Sequence, residues 1–450
     1  MSASTIPSRF DLLIRNATLL TADPAAPIVR NASLGVIGDR IAWIGALASD
    51  AHAALDLDLA GRVVTPGFVN VHTHSALSMV RGVAADLGFA PSYTKGIPNA
   101  LDLTPEDSIA MTRLGALEAL LAGSTLIGEH FVHVDACVPE IAKLGLRVHA
   151  SVRLHDVDFR KVADSGRWQF DAALGDGLLE RNLALHGAWD GKEDGRVRVQ
   201  FAAHAADTCS EPFLAKVAQA AQARGAVVNT HLAQSKVEVE RVLARTGRTP
   251  VQVFDHAGLL NEHLLCGHCI YVEDDDIARM AGAGANVVHI PKCNAASGRL
   301  APTPKIKAAG LNMTLATDTQ HADMVELMRW ALATARVQVG GVDEDWQPHH
   351  VFAMATINGA RALGLADEIG SLQVGKKADF VVLDFRRPHL VPAPNPVGTL
   401  VHTAMGRDVE MVFVDGRCVV RDGRPTLVNR EAVIAEAQAT ADRLWRNATT

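Results

Sequence analysis

The residues of this chain best suited to chemistry are histidines placed where apolar runs end. Val64-Thr-Pro-Gly-Phe-Val-Asn-Val-His72-Thr-His74 closes a strand-like run with two imidazoles two positions apart. On a strand, positions i and i+2 point to one face, so both rings reach a single cation. Ala226-Val-Val-Asn-Thr-His231 ends a second run in a histidine, and Leu311-Asn-Met-Thr-Leu-Ala-Thr-Asp318 ends a third in an aspartate. Three neutral imidazoles and one carboxylate suit a borderline divalent ion such as zinc or iron. Each residue has a plainer reading alone: His231 as a buried histidine bonded to backbone, Asp318 as a helix cap or turn residue. Their shared placement at the ends of β-like runs joins them. His204 and His268 end Val199-Gln-Phe-Ala-Ala-His204 and Leu264-Leu-Cys-Gly-His268 in the same way.

Strand ends that converge on one mouth call for a barrel. From about residue 65 to 370, apolar β-like runs alternate with helical stretches over 105–122, 211–224 and 236–245, the pattern of a parallel α/β fold. A (β/α)₈ TIM barrel over 63–372 fits that length and places ligands at the C-terminal ends of its strands. Residues 10–45 read as short strands with turns, as do 378–384 and 409–420 around Asp415-Gly416. The two chain ends, 1–62 and 373–450, are therefore expected to build one small β-sandwich, with a terminal helix.

The composition bounds the function. At 48% hydrophobic and 21% charged, the 450 residues are those of a large globular protein. Fifty acidic against 43 basic residues, net −7, disfavour a nucleic-acid or anionic-membrane partner. No apolar run approaches the ~20 residues that cross a bilayer. The opening MSASTIPSRFDLLIRNATLL is broken by Asp11, Arg15 and Asn16, so an untargeted, cytoplasmic protein acting on a small molecule is expected, with a homo-oligomer left open. Six cysteines are too sparse for a disulfide framework.

In order, Pro66-Gly-Phe-Val-Asn-Val-His72-Thr-His74, Gly123-Ser-Thr, His204-Ala-Ala-Asp-Thr-Cys-Ser, Thr230-His231-Leu-Ala, Gly267-His268-Cys, His289-Ile-Pro-Lys-Cys-Asn294, Ala316-Thr-Asp318, Ala355-Thr-Ile-Asn-Gly-Ala-Arg and Gly375-Lys-Lys-Ala-Asp-Phe380 span nearly the whole chain. This set resembles the amidohydrolase superfamily, in its metal-dependent deaminase and triazine-hydrolase-like (atrazine chlorohydrolase-like) branch. The resemblance implies one divalent metal, zinc foremost with iron or manganese as alternatives, held by His72, His74, His231 and Asp318. It implies Asp318 as proton acceptor as well as ligand, His268 as hydrogen-bond partner of the attacking water, and His204 as a substrate contact. The implied activity is hydrolytic removal of an amino group or another substituent from a small nitrogen heterocycle.

The departures from the family pattern sharpen this. Deaminating relatives usually carry Glu three positions after the His231-type ligand, to pass a proton to the ring nitrogen; here Gln234 stands there, and an amide cannot do that step. Glu129, in Gly128-Glu129-His130-Phe-Val-His133, is the candidate replacement; strand alternation would put it on one face with His133, and His130 on the other. A structural cluster at the strand end is the competing reading of Glu129. Phe89 and Tyr93, in the Gly/Pro-rich loop after the first histidines, are candidates to stack on a flat ring. Arg153, Trp168 and Cys293 are further candidate pocket residues. The Cys266-Gly-His-Cys269 spelling does not read as a redox or zinc motif, since it lacks a second pair. Two alternatives to the ring hydrolase follow: hydrolysis of an amide, urea or carbamate bond, and a metal-free interaction scaffold, which the intact ligand set argues against.

Overall fold

A strand that is apolar on both faces must be covered on both, and parallel strands of that kind pair with covering helices. The computed structural model describes residues 7–87, 94 and 96–449. In it, eight parallel strands follow one another: Phe68–Thr73, Ser124–Phe131, Arg147–Leu154, Phe201–Ala205, Val228–Leu232, Leu264–His268, Asn286–His289 and Asn312–Leu315. These are barrel strands one to eight. Every residue of strands one, two, three, five, six and seven is buried. Gly128 lets strands one and two approach: a Cβ there would lie 2.1 Å from the Val71 carbonyl oxygen.

The barrel closes just beyond strand eight. The Asp318 N–H donates to the His72 carbonyl (3.1 Å), and the His74 N–H donates to the Asp318 carbonyl (2.7 Å). One turn below, buried Asn70 clasps Thr317, donating from Nδ2 to Oγ1 (2.8 Å) and accepting from its N–H (3.1 Å). The helices expected near 105, 211 and 236 span Pro105–Leu121, Glu211–Gln222 and Lys236–Thr246. Each starts where a hydroxyl caps it: Thr104 accepts from Asp107 N–H, Ser210 from Phe213 N–H and Ser235 from Glu238 N–H.

The chain ends meet in a nine-stranded sheet. Phe380–Asp384 runs antiparallel to Arg62–Pro66, which itself pairs with Arg9–Leu20, so the C-terminal strands extend the N-terminal ones. Leu12, Ile14, Leu34, Val64, Phe380, Val382 and Phe413 form its own apolar core. The last helix, Arg430–Thr449, returns to the barrel, where Trp445 Nε1 donates to the Met79 carbonyl (2.8 Å) and Arg443 pairs with Asp107. Among the described residues, no helix is long and apolar enough to cross a membrane.

Barrel and sheet are bolted by Arg147, at the start of strand three. Its guanidinium grips both Asp379 oxygens (2.6 and 2.9 Å) and also meets Asp415, with all three side chains under 10% exposed. Removing one member of such a pair leaves uncompensated buried charge. Arg147→Met is expected to lower unfolding free energy by about 3–5 kcal/mol, read as a shifted urea midpoint; an unchanged midpoint would show that the bolt carries no stability.

Candidate metal centre and active site

The four residues expected to bind metal meet at the C-terminal mouth of the barrel. His72 and His74 come from strand one and its end, His231 from strand five, and Asp318 from the turn after strand eight. The His231 Nε2 lies 3.1 Å from His74 Nε2 and 3.3 Å from His72 Nε2. Asp318 Oδ1 lies 3.4 Å from His74 Nε2 and 3.7 Å from His72 Nε2. All four are at most 5% exposed.

The proton on each ring is placed by what its other nitrogen touches. His72 Nδ1 faces Asn229 Oδ1 (2.7 Å), His74 Nδ1 faces the His130 carbonyl (2.5 Å), and His231 Nδ1 faces the His204 carbonyl (2.8 Å). Oxygens that can only accept require N–H at each Nδ1, so each Nε2 presents a lone pair. Burial also holds all three rings neutral, well below the usual imidazole range. Lone pairs 3.1–3.3 Å apart repel. Nitrogens bound at about 2.1 Å to one tetrahedral ion stand about 3.4 Å apart, so a cation turns this repulsion into ligation. Both Asp318 oxygens are buried with no N–H or O–H to accept from, and burial pushes the carboxyl pKa up. An orphaned carboxylate among three lone pairs fits a divalent ion, and two overlapping His/Asp groups that could hold one meet here: His72, His74, His130 and His231, and His231, His268 and Asp318.

His268 and His204 flank the cluster. His268 Nδ1 faces Asn294 Oδ1 (2.8 Å), its ring stacks on His231, and its Nε2 lies 3.9 Å from Asp318 Oδ2 without a hydrogen-bond partner. His204 packs edge-on against His231 at 4.9 Å between ring centres and is anchored through Nδ1 to Thr208 Oγ1 (2.8 Å). His268 and Asp318 both sit at positive φ (+68° and +63°), a left-handed turn that swings each side chain inward from a strand end.

The remaining candidates divide. Arg153 is 3% exposed at the end of strand three, its guanidinium over the rings of Phe131 and Phe159 (5.0 and 5.1 Å). Burial lowers its pKa only to about 10, so it stays charged at neutral pH. Cys293 is half-buried beside Asp318, and burial with that carboxylate pushes its thiol pKa up. It borders a cavity of about 200 Å³ also lined by Arg81, Lys292, Thr319 and His321. Trp168 stands one layer back: its Nε1 donates to the Asp207 carbonyl (2.8 Å), and the Arg241 guanidinium lies 3.6 Å over its ring. Gln234 is half-buried in the loop after strand five, where Glu238 accepts from the Ala233 and Gln234 N–H groups (2.9 and 2.7 Å). Phe89 and Tyr93 lie outside the described residues. Cys266 and Cys269 are free thiols, with pKa values pushed up by burial.

Glu129 is not brought into the ligand cluster. Its carboxyl accepts from Thr73 Oγ1 (2.7 Å), Ser75 Oγ (2.5 Å) and Ser75 N–H (3.0 Å), and so grips the residues on either side of His74. His130, its neighbour, is the residue on the ligand side. His133 does not share the face of Glu129, because the strand ends at Phe131 and His133 caps the next helix at positive φ. Sequence reasoning also passed over Asn229, whose Nδ2 donates to the Val71 carbonyl (2.8 Å) while its Oδ1 orients His72. An asparagine two positions before His231 in an apolar run was the available signal, since period two puts it on the inward face.

Burial pushes Glu129 up to about 7 from an ordinary 4.5, against the three hydrogen bonds that lower it. A folded-state pKa above the unfolded one gives stability that is complete below about pH 4.5 and lost as pH rises through about 7. Relative to Glu129→Gln, the wild-type protein is expected to lose about 3 kcal/mol across that window. Urea midpoints of both proteins at several pH values check this; parallel pH profiles would refute it.

The sequence model of the amidohydrolase family matches residues 63–419. The chain is 33% identical over 441 residues to a 5'-deoxyadenosine deaminase of Methanosarcina acetivorans, covering 96% of this chain and 98% of that one. It is 32% identical over 439 residues to a 5-methylthioadenosine/S-adenosylhomocysteine deaminase of Moorella thermoacetica, covering 94% and 97%. Its fold matches the crystal structure of an adenosine deaminase from Xanthomonas campestris with bound zinc, at TM-score 0.86 and 24% identity over 97% of this chain and 99% of that one. With the barrel, the sheet built from both ends and the buried His/Asp cluster in place, the chain belongs to the amidohydrolase family.

Proposed function

We propose that the protein is a metal-dependent aminohydrolase that removes an exocyclic amino group from a small nitrogen heterocycle. The observation that carries this is the convergence of three Nε2 lone pairs and the orphaned Asp318 carboxylate at one buried point. His72, His74, His231 and Asp318 would hold one ion, zinc by the resident chemistry of three imidazoles and a carboxylate. When bound, a divalent ion supplies a water acidified toward neutral pH and polarises the carbon it attacks.

The chain's own groups handle position and protons. Asp318, whose second oxygen faces His268, would take the first proton of the attacking water and pass it to the ring nitrogen, and then move the remaining hydroxyl proton to the departing ammonia. His268, with its Nδ1 proton committed to Asn294, offers Nε2 as acceptor to that water and fixes its line of approach. His204 and Arg153 border the space where the ring would lie, and Arg153 brings a positive charge to it. Gln234 hydrogen-bonds the ring but carries no proton to give, so the ring nitrogen draws its proton from Asp318. Glu238, four residues on, is committed to backbone N–H groups and does not replace the missing acid. Glu129 acts at one remove, by holding the turn that presents His74.

Adenine nucleosides of the kind named for the relatives are the first substrates to test. A second reading, hydrolysis of an amide, urea or carbamate bond, is favoured by Gln234 alone, because expelling that leaving group does not need a ring nitrogen protonated.

Ammonia release from adenosine-type nucleosides, aminated pyrimidines, pterins and triazines is expected for at least one class, lost on chelation and restored by zinc, iron or manganese. A metal-loaded protein silent on all of them, yet active on an amide or carbamate, would transfer the assignment to the second reading. Asp318→Asn is expected to lower kcat/KM by about 10³-fold; retention of activity would remove Asp318 from the proton path. Gln234→Glu is expected to raise kcat on the aminated ring, measured against the unchanged protein, and a fall would show that Gln234 has a different task.

A further inference from the structure

One buried imidazole at the metal centre has no task in the mechanism above. His130 is 1% exposed, at the penultimate position of strand two, and neither of its ring nitrogens has a hydrogen-bond partner among the described residues. Its ring stands edge-on to both His72 (4.3 Å between centres, 90°) and His74 (4.5 Å, 77°). Leaving a buried donor or acceptor unpaired costs on the order of 1–3 kcal/mol. Of the described residues that touch His72 and His74, Asp318 too has both side-chain oxygens without an N–H or O–H partner, as a carboxylate that holds a cation would.

The donor atoms make the same point geometrically. One ring nitrogen from each of His72, His74, His130 and His231 lies within 4.8 Å of all the others. Two nitrogens on opposite sides of one ion, each bonded at about 2.1 Å, stand about 4.2 Å apart. A cluster this compact leaves a His130 nitrogen within reach of an ion held by the other three. The backbone restrains it for this: the His130 carbonyl already accepts from His74 Nδ1, so the fourth ring and the second ligand are tied together.

We propose that His130 is a fourth imidazole ligand of the metal centre, so that the ion rests in a five-donor set with His72, His74, His231 and Asp318. This rests on the metal-site reading but not on the identity of the substrate. A fifth protein donor would favour ions that accept more than four ligands.

Cobalt(II) titration of the metal-free full chain tests this without any turnover. The wild-type protein is expected to show the weak visible bands of five-coordinate cobalt, and His130→Gln the stronger bands of a four-coordinate site, with affinity in chelator competition about 10-fold or more weaker. Because the variant can perturb packing, X-ray absorption of the zinc-loaded wild type provides a second measurement, expected to count four imidazoles. Three imidazoles, or a variant whose cobalt spectrum and affinity equal the wild type's, would overturn the assignment of His130 and leave the metal site standing. A wild-type protein that binds no cobalt or zinc would overturn both.

Discussion

Mutual repulsion among buried donors is the interaction around which this molecule is arranged. His231 Nε2 lies 3.1 and 3.3 Å from His74 and His72 Nε2, and Asp318 Oδ1 3.4 and 3.7 Å from the same two atoms, yet the three ring nitrogens carry no proton to share. Without a cation such a cluster costs several kcal/mol of unpaired polar burial; with one, the same atoms become its strongest contacts. Keeping the rings neutral is part of the arrangement, since burial and the other imidazoles both oppose protonation.

The scaffold fixes that cluster from several directions. Asp318 is tied to strand one by the two backbone hydrogen bonds that also close the barrel, so it and the His72–His74 pair are held against one another. Asn229 reaches from strand five to orient His72, and Gly267 leaves the room that ring occupies, since a Cβ there would lie 3.3 Å from His72 Cε1. Oxygen acceptors on the far side of each ligating ring set its tautomer, a condition that metal sites in general share.

The carboxylates are deployed unusually around this centre. Glu129 holds the turn carrying His74, and Glu238 holds the turn carrying Gln234; burial raises both, to about 7 and about 8. Each serves as a bracket for backbone. Asp318 is then the one acid among the described site residues that points at the cluster, so that under the proposed function the proton chemistry would rest on it alone and the amide at 234 would bear on the choice of substrate.

Much of this was legible in the sequence. Period two places His72 and His74 on one face, and the alternation of apolar runs with helices gives a barrel whose strand ends face one mouth; His204, His231, His268 and Asp318 meet there because each ends such a run. The rule failed at strand two, where it could say that Glu129 and His130 face opposite ways but not which faced inward. That choice belongs to tertiary structure: in the register where Gly128 packs against Val71, His130 faces His72 and His74 while Glu129 is left to Thr73 and Ser75. The left-handed turns at His268 and Asp318, the service of Asn229 and the bolt at Arg147 were equally beyond the sequence. Asn229 meets a residue 157 positions away and Arg147 one 232 positions away, and local patterning fixes the direction of a side chain only relative to its neighbours, not which far segment it will meet.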